Sequence, residues 1–463
     1  MTLHPLASTR PVATGGPHVP RSADTATVVA IFVFLLFILP AKVVVSRLPL
    51  SISSASIVAL ALGVLWLCTQ LTTTLGAAKG RSPVRTTILV HGFVLLLSFW
   101  AMSVAYLPSD ERSLGDHAMV TAFALICLGL AVVDGVPSRE RIYFLLRVVV
   151  GCACFVAVVG ILQYVFRYDP TPLLKPPGMH FTAEDVTVIS RSGIPRVSGT
   201  TAHPIEFGVF CAMVLPLAMH LTTFASGTRP WQVLQWVPVG LLASGLMFSV
   251  SRSAIVALVT VGVVLIVGWP AERRIRMLKL GVGFLVVVYL LTPSILRTLR
   301  DLFLSVGNDG SVAWRTHDYA TARQLISEHL LLGRGIGTWY PPKHEIFDNQ
   351  YLATLVGTGA LGLLALVSIF VAAVYVCYRV VVLCARGPVR LPTATQDRDL
   401  ALALMASTMV VFPTFATFDF MAFAKVASLA FLLAGLAGAL LRVVARESAE
   451  LEKDEISRAG TAR

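Results

Sequence analysis

The stretch from Tyr351 to Val382 reads YLATLVGTGALGLLALVSIFVAAVYVCYRVVV, and Arg379 is its one charged residue. A helix needs about 20 mostly apolar residues to cross the roughly 30 Å of hydrocarbon in a bilayer. Since this stretch is longer than that, we expect a short interfacial turn followed by a transmembrane helix.

Similar apolar blocks occupy most of the chain, which is 56% hydrophobic and 13% charged. Soluble domains carry about 25% charged residues. Because backbone groups cannot stay unpaired in lipid, each block is predicted to be a helix. The sequence therefore predicts an all-α, polytopic membrane protein with about 12 transmembrane helices. The predicted spans are 27–45, 53–75, 87–106, 117–133, 142–166, 205–224, 233–250, 253–269, 278–291, 351–382, 400–417 and 420–441.

These spans divide the chain into five regions. We expect a disordered cytoplasmic N-terminus at 1–26, and helices one to nine at 27–291 with an outer loop at 167–203. A large outer loop with short helices follows at 292–350, then helices ten to twelve at 351–441 and a charged cytoplasmic tail at 442–463. The first span is interpreted as an uncleaved anchor.

The positions of the basic residues predict the orientation of the helices. Lys and Arg concentrate in cytoplasmic loops, and every second connection is basic, including AERRIRMLK at 271–279. The alternate connections are acidic or poor in base, such as PSDERSLGD at 108–116. Both termini are therefore predicted to be cytoplasmic. The net charge of +12 is spread over these loops, which argues against nucleic-acid binding. The seven cysteines lie in apolar blocks without the spacing of a metal site or a disulfide framework.

Basic residues on the predicted outer side break this pattern. Long loops often carry function, but they also escape the charge rule, which weakens the argument for most of these residues. Arg252 differs, because FSVSRSA (248–254) is a short turn at the membrane boundary, where an unpaired charge is costly. Other basic residues of the two long outer loops include Lys175, Arg191, Arg196, Arg315, Arg323, Arg334 and Lys343.

The second outer loop has internal structure. Its residues 312–328 have the periodicity of an amphipathic helix lying on the membrane surface. The glycines of LLGRGIGTWYPP (331–342) then break the helix. They do not form a nucleotide-binding loop, since no strand precedes them and no helix follows directly, so a turn is predicted.

Five segments in this order resemble the O-antigen ligase and polymerase family of bacterial membrane glycosyltransferases. The resemblance covers 196–364. The segments are RVSGTTAHPIEFG (196–208), FSVSRSA (248–254), AWR (313–315), EHLLLGRGIGTW (328–339) and DNQYLATLVGTGALG (348–362).

The resemblance implies an enzyme in the bacterial inner membrane. Members transfer a glycan from an undecaprenyl diphosphate carrier to an acceptor hydroxyl, without metal, nucleotide or other cofactor. Ligases use lipid A core as acceptor, and polymerases extend another lipid-linked chain. The expected partners are the lipid-linked donor, the glycan or lipid acceptor and membrane lipids. A polymerase would also work beside a flippase and a chain-length regulator.

The resemblance also assigns residues to the site. Arg252 and Arg315 match the family's outer-face arginines, and ligases read H-N-x-Y-L where this chain reads DNQYL, with Asp348 in place of the histidine. Guanidinium groups bind phosphate oxygens bidentately, so Arg252 and Arg315 would hold the diphosphate. Asp348 would act as the base of an inverting transfer. The assigned substrate-binding residues are Arg196, Arg191, Asn349, Tyr351 and His344.

Several alternatives stay open. His317, Asp318 and His344 compete with Asp348 as the base, and His344 would occupy similar space if 344–348 were helical. Asp348 would instead cap the next helix if its carboxylate bonds backbone N–H groups. The sequence leaves open polymerase or ligase, the sugar and the acceptor. A lipid-linked oligosaccharide transporter or flippase is the alternative function, since such proteins also have about 12 spans.

Overall fold

The computed structural model describes most of the chain between residues 24 and 461. The described residues are 24–46, 52–72, 80–182, 189–191, 194–225, 233–294, 297–298, 300, 319, 321–340, 343–344, 346–387 and 391–461. Most of the N-terminus predicted to be disordered lies outside them. Arg315, His317 and Asp318 also lie outside, as does the first part of the predicted surface helix.

Thirteen α-helices occur in the described part of the chain, and eight helical segments are long and apolar enough to cross a membrane. This confirms an all-α polytopic membrane protein. The helices are α1 (Thr25–Ile38), α2 (Ser54–Leu71), α3 (Pro83–Val104), α4 (Ser109–Gly135), α5 (Arg139–Phe166), α6 (Pro204–Thr223), α7 (Val237–Phe248), α8 (Arg252–Gly268), α9 (Ala271–Leu291), α10 (Gln350–Arg386), α11 (Ala394–Met409), α12 (Val411–Phe415) and α13 (Ala424–Thr461).

Four short strands lie outside the helices. They are β1 (Val43–Val45), β2 (Met179–Phe181), β3 (Ile189–Arg191) and β4 (Ile194–Arg196). β1 pairs antiparallel with β2, with Val44 opposite His180, and β3 pairs antiparallel with β4. Short 3₁₀ turns occur at Thr171–Leu174 and Phe420–Ala422.

Several predicted boundaries differ from the structure, among them the end of the first span and the start of the tail. The first span was predicted to reach Val45, but α1 ends at Ile38, because Pro40 cannot continue the hydrogen-bond ladder and the chain turns into β1. At the other end, α13 continues without a break through 442–461, which was predicted as a separate tail.

α6 and α13 lie at the centre of the bundle. They are the most buried of the long apolar spans, and α2 is the least buried. α13 packs against α4 and α10, and α6 packs against α7 and α11. Small residues allow the helices to approach one another closely. For example, the ring of Phe207 in α6 occupies the space that a Cβ at Gly160 in α5 would need.

The ends of the bundle differ in chemistry. One end, here called the loop end, carries the described residues of 167–203 and of the long connection between α9 and α10. At the opposite end the basic residues predicted as topology signals also form buried ion pairs. Arg85 lies 3.2 Å from Asp134, Arg139 lies 2.7 Å from Asp397, and Arg273 bonds to Asp399.

α10 is broken at Gly359, where φ is +71°. The break leaves backbone groups unpaired, and the segment 330–335 pairs with them. Backbone N–H groups of Arg334 and Gly335 donate to the carbonyls of Val356 and Gly357 at 2.8 and 2.9 Å. In return, Ala360 N–H donates to Leu330 O at 2.8 Å. The glycines 333, 335 and 337 all have positive φ, as the predicted turn requires.

Gly359→Ala should therefore destabilise the fold. The added Cβ would overlap the Leu331 backbone and would force a left-handed conformation on alanine. We expect a loss of at least about 2 kcal/mol, measured by thermal unfolding in detergent. The matched control is Gly281→Ala in α9, where nothing lies within 4 Å of the new Cβ. Equal unfolding temperatures for the two variants would contradict this account of the break.

Candidate active site at the loop end

Glu111 anchors the long loop to the start of α4. Its buried carboxylate accepts hydrogen bonds from Arg334 Nη2 at 2.6 Å, Lys343 Nζ at 2.9 Å and His344 Nε2 at 3.0 Å. Trp339 stacks on the His344 ring with centroids 4.0 Å apart. These contacts give three polar residues of the loop a structural role, because all three bond to the one buried carboxylate of Glu111.

His344 therefore does not occupy the space next to Asp348 that a helix over 344–348 would give it. The described residues among 343–349 are not helical, so the four-residue spacing does not bring the two side chains onto one face. His344 faces Glu111 and Trp339 instead.

The turn between α7 and α8 carries Arg252, and Arg196 lies beside it. Arg196 Nε donates to Ser249 O at 3.4 Å, and Val197 N–H donates to Phe248 O at 3.5 Å. The segment that follows Arg196 is held by Gln163, whose Oε1 accepts from Gly199 N–H at 2.7 Å. The structure thus brings two of the predicted phosphate-binding residues to one turn.

This turn is strained in a way that suggests function. Val250 is buried and has φ of +45°, a conformation that is costly for a β-branched residue. Arg252 is the first residue of α8, where the helix dipole disfavours a positive charge and favours an anion. Strain of this kind concentrates at ligand sites.

Lys42 adds positive charge near Arg196, and both charges act on His203. Burial, together with the charges of Arg196 and Lys42, lowers the pKa of His203 to about 4. His203 is neutral at pH 7 and caps α6, accepting from Ile205 N–H at 3.2 Å, as expected for a helix-entry residue. Of Arg191 the structure describes the backbone alone, in β3.

Two buried residues of opposite charge type, Lys425 and Glu206, hold the segment that carries Arg196. Lys425 and Glu206 are both fully buried. Lys425 Nζ donates to Phe37 O at 3.0 Å and to Thr200 Oγ1 at 2.6 Å, and its backbone N–H donates to Glu206 Oε1 at 2.9 Å. α1, α6 and α13 are thereby joined behind the Arg196 turn.

Asp348 and Asn349 have different roles at the start of α10. Asn349 is the helix cap, and its Oδ1 accepts from Tyr351 and Leu352 N–H groups at 2.9 and 3.3 Å. Asp348 is exposed and forms no cap. The alternative of an Asp348 cap is therefore wrong.

Tyr351 is held by α12. Its hydroxyl donates to Phe412 O at 2.8 Å. α12 also packs against α8, which begins with Arg252. α12 thus contacts α8, which begins with Arg252, and bonds to α10, which follows Asp348.

A second carboxylate, Asp419, lies beside Asp348. The two meet because Met421 N–H donates to Gln350 Oε1 at 2.6 Å, which joins the 419–422 turn to the start of α10. Burial and the charge of Asp348 raise the pKa of Asp419 to about 7. Burial and repulsion from the neighbouring carboxylate both favour the protonated form of Asp419.

Asp419 also lines a cavity of about 460 Å³ that lies between α3, α4, α10 and the long loop. This volume is within the roughly 300–1,000 Å³ of small-molecule sites. Its polar lining residues are His91, His117, Thr121, Trp339, Tyr340, Gln350, Thr354, Thr358 and Asp419.

Sequence reasoning missed Asp419, Lys425 and Glu111. Each had a signal in the sequence. Asp419 is a lone acid between two predicted spans, Lys425 is a lone base at the start of the apolar run KVASLAFLLAG, and Glu111 lies in an outer acidic connection. Charges at such boundaries are often functional or paired, but their partners are distant in sequence.

Residues 237–367 match the family model described as O-antigen ligase. Over this segment, which is less than a third of the chain, the sequence is similar to O-antigen ligases. The match includes the Arg252 turn, the long loop, Asp348 and the Gly359 break. No curated protein matches the chain. The domain therefore supports a glycosyl-transferring membrane enzyme of the ligase or polymerase kind.

Glu111→Gln should loosen the long loop, which belongs to the matched region although Glu111 itself precedes it. Three hydrogen bonds to a buried carboxylate would lose their charge partner, and charged hydrogen bonds contribute about 1.5–3 kcal/mol each. We expect faster trypsin cleavage near Arg334 and Lys343. Glu140→Gln, an exposed change at the opposite end, is the control. Cleavage as slow as in the wild type would show that the loop does not depend on Glu111.

Asp419→Asn should change the pH dependence of stability. The pKa of Asp419 is raised from 3.8 to about 7 in the fold, so the folded state favours the protonated acid. The wild type should lose stability as pH rises between these values, with no further loss above about 7. Asparagine cannot ionise, so the variant should gain most above pH 7 and nothing near pH 4. Thermal unfolding across pH tests this, with Asp116→Asn as control.

Proposed function

We propose that the protein is a membrane glycosyltransferase that moves a glycan from an undecaprenyl-diphosphate-linked donor to an acceptor hydroxyl at the outer face of the membrane. The observation that carries the proposal is the separation of charge at the loop end. Arginines lie at the α7–α8 turn, and a pair of carboxylates lies at the start of α10, within or beside the matched O-antigen ligase domain.

The basic side suits a diphosphate. Arg252 and Arg196 would hold phosphate oxygens and stabilise the charge that grows on the diphosphate as it leaves. Arg315 and Arg191 would assist them. The N-terminus of α8 adds backbone N–H groups that attract an anion.

The acidic side suits activation of a hydroxyl. Asp348 would take the proton of the acceptor hydroxyl as its oxygen attacks the anomeric carbon. The bond from that carbon to the phosphate oxygen breaks, and undecaprenyl diphosphate leaves with the electron pair. A single displacement of this kind inverts the anomeric centre and needs no metal.

Asp348 replaces the histidine of the ligase pattern, and this favours a glycan acceptor on a second lipid-linked chain over lipid A core. Such a polymerase would receive its donor from a flippase. His317 and Asp318 remain alternative bases within the loop.

Reconstituted protein tests the proposal. We would supply the host's undecaprenyl-diphosphate-linked oligosaccharide and measure longer lipid-linked glycan and released carrier. Arg252→Ala should lower turnover about 100-fold or more, and Asp348→Asn about 100- to 10,000-fold. Arg323→Ala and Asp116→Asn, which keep the proposed site intact, should leave turnover unchanged.

Each alternative predicts a different result. Full turnover by Asp348→Asn would remove Asp348 as the base. Movement of the labelled lipid across the bilayer without any longer glycan would favour the flippase and contradict the enzyme.

A further inference from the structure

His91 is a polar residue in an unfavourable place. It lies on α3 with 5% of its surface exposed and lines the cavity of about 460 Å³. Within the described part of the chain its Nδ1 has no hydrogen-bond partner. A buried polar group left unpaired costs about 1–3 kcal/mol, so an apolar residue would give a more stable fold. The cost is understandable if a polar ligand supplies the missing partner.

A second unpaired donor lines the same cavity. Trp339 Nε1 is also buried and has no hydrogen-bond partner among the described residues. By contrast, Gln350, Thr354 and Thr358 on α10 satisfy one another, since Gln350 Nε2 donates to Thr354 Oγ1 at 2.8 Å and Thr358 Oγ1 donates to Thr354 O at 3.0 Å. Among the described lining residues, the buried atoms without a partner are therefore Nδ1 of His91 on α3 and Nε1 of Trp339 in the long loop.

The charge of the lining narrows the chemistry of the ligand. Asp419 lines the cavity and Asp348 lies beside Asp419, whereas the described lining residues include neither Lys nor Arg. A phosphate would be repelled there, while a neutral ligand rich in hydroxyl groups would find both donors and acceptors. Trp339 and Tyr340 add apolar ring surface, which suits the carbon face of a sugar.

We propose that this cavity binds the saccharide of the acceptor, with His91, Trp339 and Asp419 as its polar contacts. The proposal rests on the proposed function and deepens it. Asp419 would receive a hydrogen bond from a sugar hydroxyl, or donate one to it, and would hold the attacking hydroxyl next to Asp348. Asp419 is thus a positioning residue. The donor diphosphate would bind at the α7–α8 turn that carries Arg252. The two substrates would thus bind in regions of opposite charge.

Binding of a carrier-free saccharide tests the cavity without turnover. The probe is the repeat-unit oligosaccharide released by mild acid from the host's carrier lipid, titrated against the full-length protein in nanodiscs by saturation-transfer NMR. His91→Phe and Asp419→Asn should each weaken binding by roughly tenfold or more, the loss of about one hydrogen bond. His329→Phe, the same change at an exposed loop position, and Asp116→Asn should not.

Stability gives an independent readout. His91→Phe removes an unpaired polar atom, so its unfolding temperature should equal or exceed that of the wild type. A lower unfolding temperature with unchanged oligosaccharide binding would make His91 a structural residue and overturn the proposal.

The remaining outcomes separate this proposal from the proposed function. If the wild type elongates lipid-linked glycan but does not bind the free oligosaccharide, the subsite is wrong and the enzyme stands. If His91→Phe weakens binding of undecaprenyl phosphate and not of the oligosaccharide, the cavity holds a lipid chain and the proposal is overturned. Oligosaccharide binding without any turnover would keep the subsite while contradicting the transferase.

Discussion

The structure of the loop end depends on the backbone exchange between the break in α10 and residues 330–335. A helix that breaks within a membrane protein leaves N–H and C=O groups that lipid cannot satisfy. Here the long loop supplies the missing partners, and the helix in turn supplies partners for the loop. The loop is thereby held by backbone bonds whose geometry does not depend on flexible side chains. Glycines at 333 and 359 permit the close approach.

The charges at the loop end follow from that attachment. Once the loop lies on α4, Arg334, Lys343 and His344 bond to Glu111, which gives these three residues a structural role. The positive charge beside the α7–α8 turn comes instead from Arg196, Arg252 and Lys42, held in place by the buried Lys425–Glu206 pair. The acids Asp348 and Asp419 meet on the other side of α12. The same loop end thus offers one region for an anion and one for a neutral, hydroxylated group.

At the opposite end of the bundle, the described charged residues form ion pairs that join helices. Its arginines pair with Asp134, Asp397 and Asp399, which are among the most buried acids of the chain. Positive residues there both orient the helices and tie them together.

The sequence by itself determined the fold class, the approximate spans and the Arg252 turn. The length of an apolar segment and the placement of its flanking charges are local properties, and they decide how the segment inserts into a bilayer. It also located Asp348 through its neighbours in the chain. Only the tertiary structure decided that Asn349 caps α10, that His344 serves Glu111 and that Asp419 faces Asp348. These relations join residues far apart in sequence, such as Gln350 and Met421, and depend on how helices pack rather than on what any one segment prefers.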